Sequence, residues 1–224
     1  MPPGGGITLH FLDMTPEREA LIRKVASRRQ PTLTIILENV HDMHNIGAVM
    51  RACDSVGICE IFILQTQQNL HFSQLVLGKK TSAGTRKWVD VHYYQDVEAC
   101  FQHVRKKYDR IWSTHLSGES ASLYDLDLTE PVALLFGNEQ TGLTAETLAH
   151  SDGNFIIPQA GMARSLNISV ACAVSLYEAY RQRNQKGFYT YNPCITEAQK
   201  NTLIKEYIRR HEDGEKGEFA DLIQ

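Results

Sequence analysis

Short runs of branched and aromatic residues recur along this 224-residue chain, and most are followed by a helical pattern or by a turn rich in glycine and asparagine. The runs are Leu33–Leu37 (LTIIL), Cys59–Leu64 (CEIFIL), Trp88–Tyr94 (WVDVHYY), Arg110–His115 (RIWSTH), Val132–Phe136 (VALLF) and Asn154–Pro158 (NFIIP). A strand that is apolar on both faces must be covered on both, which is the condition of a parallel sheet. Helical spacing of apolar residues lies between and after the runs, at Asn45–Gly57, Asp96–Tyr108, near Thr144–His150 and at Leu166–Arg183. The alternation predicts an α/β fold, a mostly parallel sheet with helices on both faces. Such sheets bind ligands beyond the carboxyl ends of their strands.

The two ends of the chain read differently. MPPGGG is a flexible start, and Thr15 followed by Pro16 is a helix-start signal. That helix is expected to run to about Arg28, ahead of Pro31. Thr196 with Gln199 forms a capping box that opens a last helix to about His211, before the polar EDGEKGEF tail. The expected organisation is an N-terminal flexible segment and helix over 1–30, one α/β domain over 31–191 and a C-terminal helical extension over 192–224.

Composition excludes several classes. With 42% hydrophobic and 22% charged residues the chain is not disordered. No apolar run reaches membrane length and no signal peptide is evident, so a cytoplasmic protein is expected. The five cysteines, an odd number with no C-x-x-C pair, read as reduced thiols. His41 and His44 lack further ligands at metal-binding spacing, so no metal is expected. The net charge of −3 is distributed unevenly. Ile111–Ala163 holds no Lys or Arg, while Glu119, Asp125, Asp127, Glu130, Glu139, Glu146 and Asp152 lie there. Positive charge gathers at Arg18–Arg29, at Lys79, Lys80, Arg86 and Lys87, at Arg105–Arg110, and at Arg164, Arg181, Arg183 and Lys186. Each group is either a solvated face or a phosphate grip.

Three loops after strands carry the polar residues. In FGNEQTGL, Gly137 and Gly142 are spaced as in a phosphate loop, but Leu143-Thr144 stands where Lys-Ser/Thr is required, which excludes a nucleotide triphosphatase. In PQAGMARSLN, Gly161 gives backbone freedom, Ser165 is a natural helix cap, and Asn167 in the first turn is available to a ligand. The following SVACAVS is small enough for close approach to the sheet or to a second subunit. In ENVHDMHNIGAVMR, Asn45 reads as the cap of its helix, and Arg51, two turns in, needs a carboxylate, a phosphate or water. The residues alone point to an α/β enzyme with one small-ligand crevice and room for an RNA face.

Taken in order, N-x-G-A-x-x-R at Asn45–Arg51, G-x-E-x-x-G-L at Gly137–Leu143 and IIPQAGMARSLNISVACAVSLYEAYRQR resemble the three motifs of the SPOUT methyltransferases. Within them the chain is similar to the TrmH branch, the tRNA guanosine-18 2′-O-methyltransferases, from roughly Arg28 to Tyr191, including RRQPTLTIILENV and STHL. The resemblance implies a C-terminal trefoil knot, a homodimer, and S-adenosylmethionine as methyl donor without a metal. Thr114, Gly137, Ile157 and Leu166 would hold the cofactor. Asn45, Arg51, Glu139, Ser165 and Asn167 would form the catalytic cluster, and Arg28, Arg29, His44, Arg181 and Arg183 would meet tRNA. The reaction implied is in-line displacement by the ribose 2′-oxygen, so positioning is most of the catalysis. Arg51 is the implied activator of that hydroxyl. A guanidinium that stays protonated would act by orienting the ribose and stabilising the developing alkoxide. RNA rather than DNA or a membrane is the expected partner, because the 2′-hydroxyl is the acceptor. The alternatives are 2′-O-methylation of ribosomal RNA, or a non-catalytic RNA-binding dimer of the same fold.

Overall fold

The computed structural model of the chain describes residues 14–67, 84–117, 120–213 and 222–223. MPPGGG, Lys79, Lys80, Glu119 and the tail over 214–221 lie outside them. Among the described residues eight parallel strands form one sheet: β1 (Leu33–Glu38), β2 (Glu60–Leu64), β3 (Asp90–Tyr94), β4 (Arg110–Thr114), β5 (Ala121–Ser122), β6 (Val132–Phe136), β7 (Gly153–Ile156) and β8 (Leu222–Ile223). Their order is β5-β7-β4-β6-β1-β2-β3-β8. Every ladder between neighbours is parallel, so the expected parallel sheet is present, and among the described residues no strand runs the other way. β1 sits centrally, pairing Ile36 with Phe62 of β2 on one side and with Leu135 of β6 on the other. β1, β2 and β6 are buried along their whole length, as apolar runs without alternation require.

Helices cover both faces. They are α1 (Pro16–Ala26), α2 (Met43–Val56), α3 (Val97–Val104), α4 (Ala145–Leu148), α5 (Ile168–Gln185) and α6 (Glu197–Glu212). On one face Leu33, Ile35 and Leu37 pack with Ile46, Val49 and Cys53 of α2 and with Ile168, Cys172 and Leu176 of α5. On the other, Ile36, Phe62 and Leu135 pack with Cys100, Phe101 and Val104 of α3. Cys53, Cys100 and Cys172 are buried and all five thiols are free. Among the described residues, no helix is long and apolar enough to cross a membrane.

Two caps differ from the sequence reading. α2 starts at Met43, with Asp42 accepting from the His44 amide, so Asn45 is inside the helix and its side chain is free for other bonds. α5 starts at Ile168, capped by Asn167 through the Ser169 amide, so Ser165 stands in the loop before the helix. In both cases several polar residues compete for the cap, and tertiary partners decide which one takes it. Gly57, with φ 87°, ends α2 as expected. α1 stops at Ala26, short of Arg28, while the Thr196–Gln199 capping box opens α6 as read.

Two arginines expected to grip RNA are buried instead. The Arg29 guanidinium bonds Asp54 Oδ1 at 2.7 Å, Trp88 O at 3.0 Å and Ile58 O at 3.1 Å, and lies over the Tyr207 ring at 5.4 Å. It fastens the segment after α1 to α2 and α6. Arg183 donates to the carbonyls of Leu128 (2.8 Å), Glu130 (2.9 Å) and Thr32 (3.0 Å), and to Thr32 Oγ1 (2.9 Å). It fastens the C-terminal end of α5 to the segments that enter β1 and β6. Neither side chain has exposed surface, so neither can meet a phosphate in this fold.

Candidate functional site

A crevice of about 680 Å³ opens at the carboxyl ends of β4, β6 and β7, within the size range of small-molecule sites. Phe136 and Phe155 meet edge to face in its wall, with ring centres 6.1 Å apart. Thr114 at the end of β4, Gly137 after β6, Ile157 after β7, and Leu166 and Ser165 before α5 all line it. Few of these side chains are charged, so polar recognition there falls largely to the backbone. At Gly137 a β-carbon would lie 2.5 Å from the Gly142 carbonyl carbon and 2.6 Å from the Leu143 nitrogen. Only glycine lets the loop fold back on itself this closely.

The loop over residues 137–143 is locked by its own side chains. Asn138 Oδ1 accepts from the amides of Gln140 (2.8 Å) and Thr141 (3.1 Å), and its carbonyl accepts from the Gly142 amide (2.9 Å). Gly142 takes φ 71°, which suits glycine. Glu139 is thereby held at the crevice rim.

A chain of side-chain bonds joins the three loops. The Ser169 amide donates to Asn167 Oδ1 at 2.9 Å. Asn167 Nδ2 donates to Asn45 Oδ1 at 3.1 Å, and Asn45 Nδ2 donates to Glu139 Oε1 at 2.6 Å. A backbone N–H can only donate, so the orientation of each amide follows from the one before it, and the chain terminates on a carboxylate oxygen. Among the described residues Glu139 Oε2 accepts no hydrogen bond. The arrangement presents one oriented acceptor beside an apolar-walled crevice. Below it, burial pushes the Cys172 thiol well above its usual range, with Cys53 and Glu139 adding to the effect, which disqualifies it as a nucleophile.

The structure thus brings Asn45, Glu139 and Asn167 into one network and sets Thr114, Gly137, Ile157, Leu166 and Ser165 on one crevice. Arg51 lies on the exposed side of α2 and, among the described residues, makes no hydrogen bond or ion pair. His44 is exposed in the first turn of α2. Arg28 is exposed beside a separate cleft of about 270 Å³ that also touches Asp54, Tyr180 and Asn184. Arg181 is exposed and paired with Glu178 at 2.7 Å; its hydrogen bonds hold that carboxyl below its usual range. Sequence reasoning missed Asn138, although an asparagine ahead of a glycine turn is a readable signal. It also missed Arg164 and His115 as lining residues. A buried cluster at the start of β2 was equally unforeseen. Glu60 there accepts from His92 (3.0 Å), Lys107 (2.7 Å) and Tyr108 (3.0 Å), all distant in sequence.

Residues 32–177 match the SpoU rRNA Methylase family. A Thermus thermophilus protein named tRNA (guanosine(18)-2′-O)-methyltransferase is 38% identical over 198 residues, covering 88% of this chain and 99% of that one. The crystal structure of the Aquifex aeolicus TrmH/SpoU tRNA modifying enzyme superposes with a TM-score of 0.75 at 32% identity, covering 88% of this chain and 97% of that chain. An AdoMet-bound rRNA methyltransferase from Sinorhizobium meliloti gives a TM-score of 0.59 at 28% identity, covering 71% of this chain but 59% of that chain.

Proposed function

Because this chain belongs to the SpoU rRNA Methylase family, we propose that its crevice holds S-adenosylmethionine and that its asparagine–glutamate network receives the ribose 2′-hydroxyl of an RNA, with guanosine 18 of tRNA as the target. It is an S-adenosylmethionine-dependent RNA 2′-O-methyltransferase. The observation that carries the reading is the directed bond chain from the Ser169 amide to Glu139, ending beside a crevice of suitable size. The tRNA target is supported by extent. Similarity spans 99% of the Thermus tRNA enzyme but 59% of the ribosomal RNA enzyme's chain.

The residues present fit the cofactor. Phe136, Phe155 and Ile157 offer apolar wall, and the loop closed by Gly137 brings main-chain groups to its edge. Thr114, Gly137, Ile157 and Leu166 would hold it. When bound, it supplies a methyl group on a sulfonium. Glu139 Oε2 accepts from the incoming 2′-hydroxyl and aims its oxygen, while Asn45 and Asn167 hold that carboxylate in one orientation. Ser165, on the crevice beside Asn167, adds a hydroxyl at the ribose. Arg51 serves as a fixed positive charge that orients the ribose phosphate and stabilises negative charge growing on the oxygen.

A homodimer fits the surface of this unit. Val170 and Tyr177 of α5 are exposed large hydrophobics, and the Tyr177 hydroxyl donates to Ser55 of α2, on the side that also carries Ala48 and Arg51. A second copy seated there would cover Val170 and Tyr177. The methyltransferase unit is taken as 31–191, knotted in its C-terminal part, with α1 as the arm before it, α6 as the helical arm after it, and a place in the cytoplasm; the end of the C-terminal segment adds strand β8 to the sheet rather than helix. Arg28, His44 and Arg181 remain its tRNA contacts. The test is methyl transfer from labelled S-adenosylmethionine to an unmodified tRNA transcript, with the product mapped by nuclease digestion and mass spectrometry. A single 2′-O-methylguanosine at position 18 is expected. Label in ribosomal RNA alone moves the target, and no transfer despite cofactor binding restores the non-catalytic alternative.

A further inference from the structure

The end of β1 grips the loop that carries Glu139 at two points. At the far end of the loop, Glu38 is completely buried, and three donors converge on its carboxylate. Oε2 accepts from the Thr144 amide at 3.0 Å. Oε1 accepts from the Thr144 and Thr147 hydroxyls, both at 2.7 Å. Among the described residues Glu38 has no ion pair, and all three of these bonds go to the start of α4. At the near end, Asn138 Nδ2 donates to the Asn39 carbonyl at 2.8 Å. Asn39 is the one non-glycine residue with positive φ (52°) among the described residues. Its side chain holds that turn by accepting from the Thr66 amide and donating to the Thr66 hydroxyl, both at 3.0 Å. Residues 139–143 hang between these two grips, and Glu139 is the first of them.

We propose that Glu38 is a positioning residue for methyl transfer, which sets the Gly137–Leu143 loop over the cofactor crevice and so places Glu139. β1 is the central strand, paired on both sides, and is the stiffest platform the sheet offers. A loop tied to it at both ends loses little order when the ligand arrives, and a preorganised acceptor costs no rearrangement at the moment of reaction. Glu38 touches neither substrate nor cofactor in this account, which rests on the methyltransferase reading above.

The full chain is tested with Glu38→Met, which fills similar space but offers no acceptor. Glu38→Gln is the conservative partner: its carbonyl can still take the Thr144 amide, and its NH2 can donate to the two hydroxyls. Calorimetric binding of S-adenosylmethionine is expected to weaken about tenfold or more in Glu38→Met and to stay within about threefold of the unsubstituted chain in Glu38→Gln. Methyl transfer at saturating cofactor is expected to fall in Glu38→Met with KM for tRNA unchanged, and the amides of Gln140–Leu143 are expected to exchange faster with solvent. A folded Glu38→Met with unaltered cofactor affinity and unaltered amide exchange overturns the proposal. If that variant does not fold, Thr144→Val removes one hydroxyl bond and the α4 cap while leaving the core intact; the same readouts, unmoved, overturn it equally. Failure of the unsubstituted chain to bind S-adenosylmethionine sinks the methyltransferase reading instead, and amide exchange still decides whether Glu38 holds the loop.

Discussion

Replacing Arg183 by methionine separates a structural arginine from an RNA contact. Methionine keeps much of the stem and removes all the donors. The carbonyls of Leu128, which is buried, and of Glu130 then lose their partner, while that of Thr32 keeps the Val132 amide at 2.9 Å. Each unsatisfied acceptor costs roughly 1–3 kcal/mol, or about 2–6 kcal/mol for two. Part of that is offset, because burial of the guanidinium is itself unfavourable and lowers its pKa. A net loss of about 2–4 kcal/mol remains, which for a chain of this size lowers the unfolding midpoint by roughly 4–16 °C. The assay pairs thermal unfolding with tRNA binding measured across salt concentrations. A phosphate contact would instead leave the midpoint within about 2 °C of the parent and flatten the slope of log K against log salt by roughly 0.7–0.9. That second pattern in Arg183→Met refutes the structural account. Arg181→Met is the internal control, because its side chain is exposed: its midpoint is expected to hold and its salt slope to flatten.

Gly137→Ala places a methyl 2.5 Å from the Gly142 carbonyl carbon, so the loop must open; cofactor affinity measured by calorimetry is expected to fall about tenfold or more while the fold persists. Asn167→Ala removes both a helix cap and the bond that orients Asn45. Stability in urea is expected to drop by about 1 kcal/mol, and kcat by on the order of a hundredfold, more than the lost cap explains. An equal loss from Asn167→Ser, which can still cap, would assign the kinetic effect to orientation of Asn45 rather than to the helix. Burial works to raise the Glu60 carboxyl, but hydrogen bonds and charge from His92 and Lys107 outweigh it and hold the group at about 2. Its folded pKa is therefore depressed, so its stabilisation is complete above about pH 4.5 and is lost as pH falls toward 2. Urea unfolding of Glu60→Gln at about pH 5, 4 and 3 is expected to show a flatter acid limb than the parent, and an identical limb would remove Glu60 from acid stability.

What could be read beforehand follows the range of the forces involved. Six of the eight strands were legible because short runs rich in branched and aromatic residues leave few other options, whereas the two-residue β5 and β8 are too short to leave a pattern; Thr15-Pro16, Gly57 and the Thr196–Gln199 box mark helix ends within a few residues of themselves. Asn45 and Ser165 were read as caps because both are good ones. Asp42 and Asn167 prevail because the fold gives Asn45 a partner 94 residues away in Glu139. The arginines failed for the same reason at greater cost. RRQ and RQR look like solvated clusters in any local window, yet Arg29 finds Asp54 25 residues on and Arg183 finds Leu128 55 residues back. The residues of the crevice were legible by motif, while Glu38 was hidden inside a strand pattern where a buried carboxylate has no local signature.

α5 meets the crevice side of the sheet at one end through Asn167, and the segments that enter β1 and β6, at the amino ends of those strands, at the other through Arg183. Its 18 residues span about 27 Å at ~1.5 Å per residue, so both attachments are made by one rod of fixed length. The length is quantised by the helical repeat. Deleting one residue between the two attachments would swing one relative to the other by about 100° around the axis, and even a whole turn would slide them apart by roughly 5 Å. Substitutions along α5 are therefore far more admissible than insertions or deletions, and length polymorphism in this lineage should collect in the loops and arms, leaving the distance from Asn167 to Arg183 invariant.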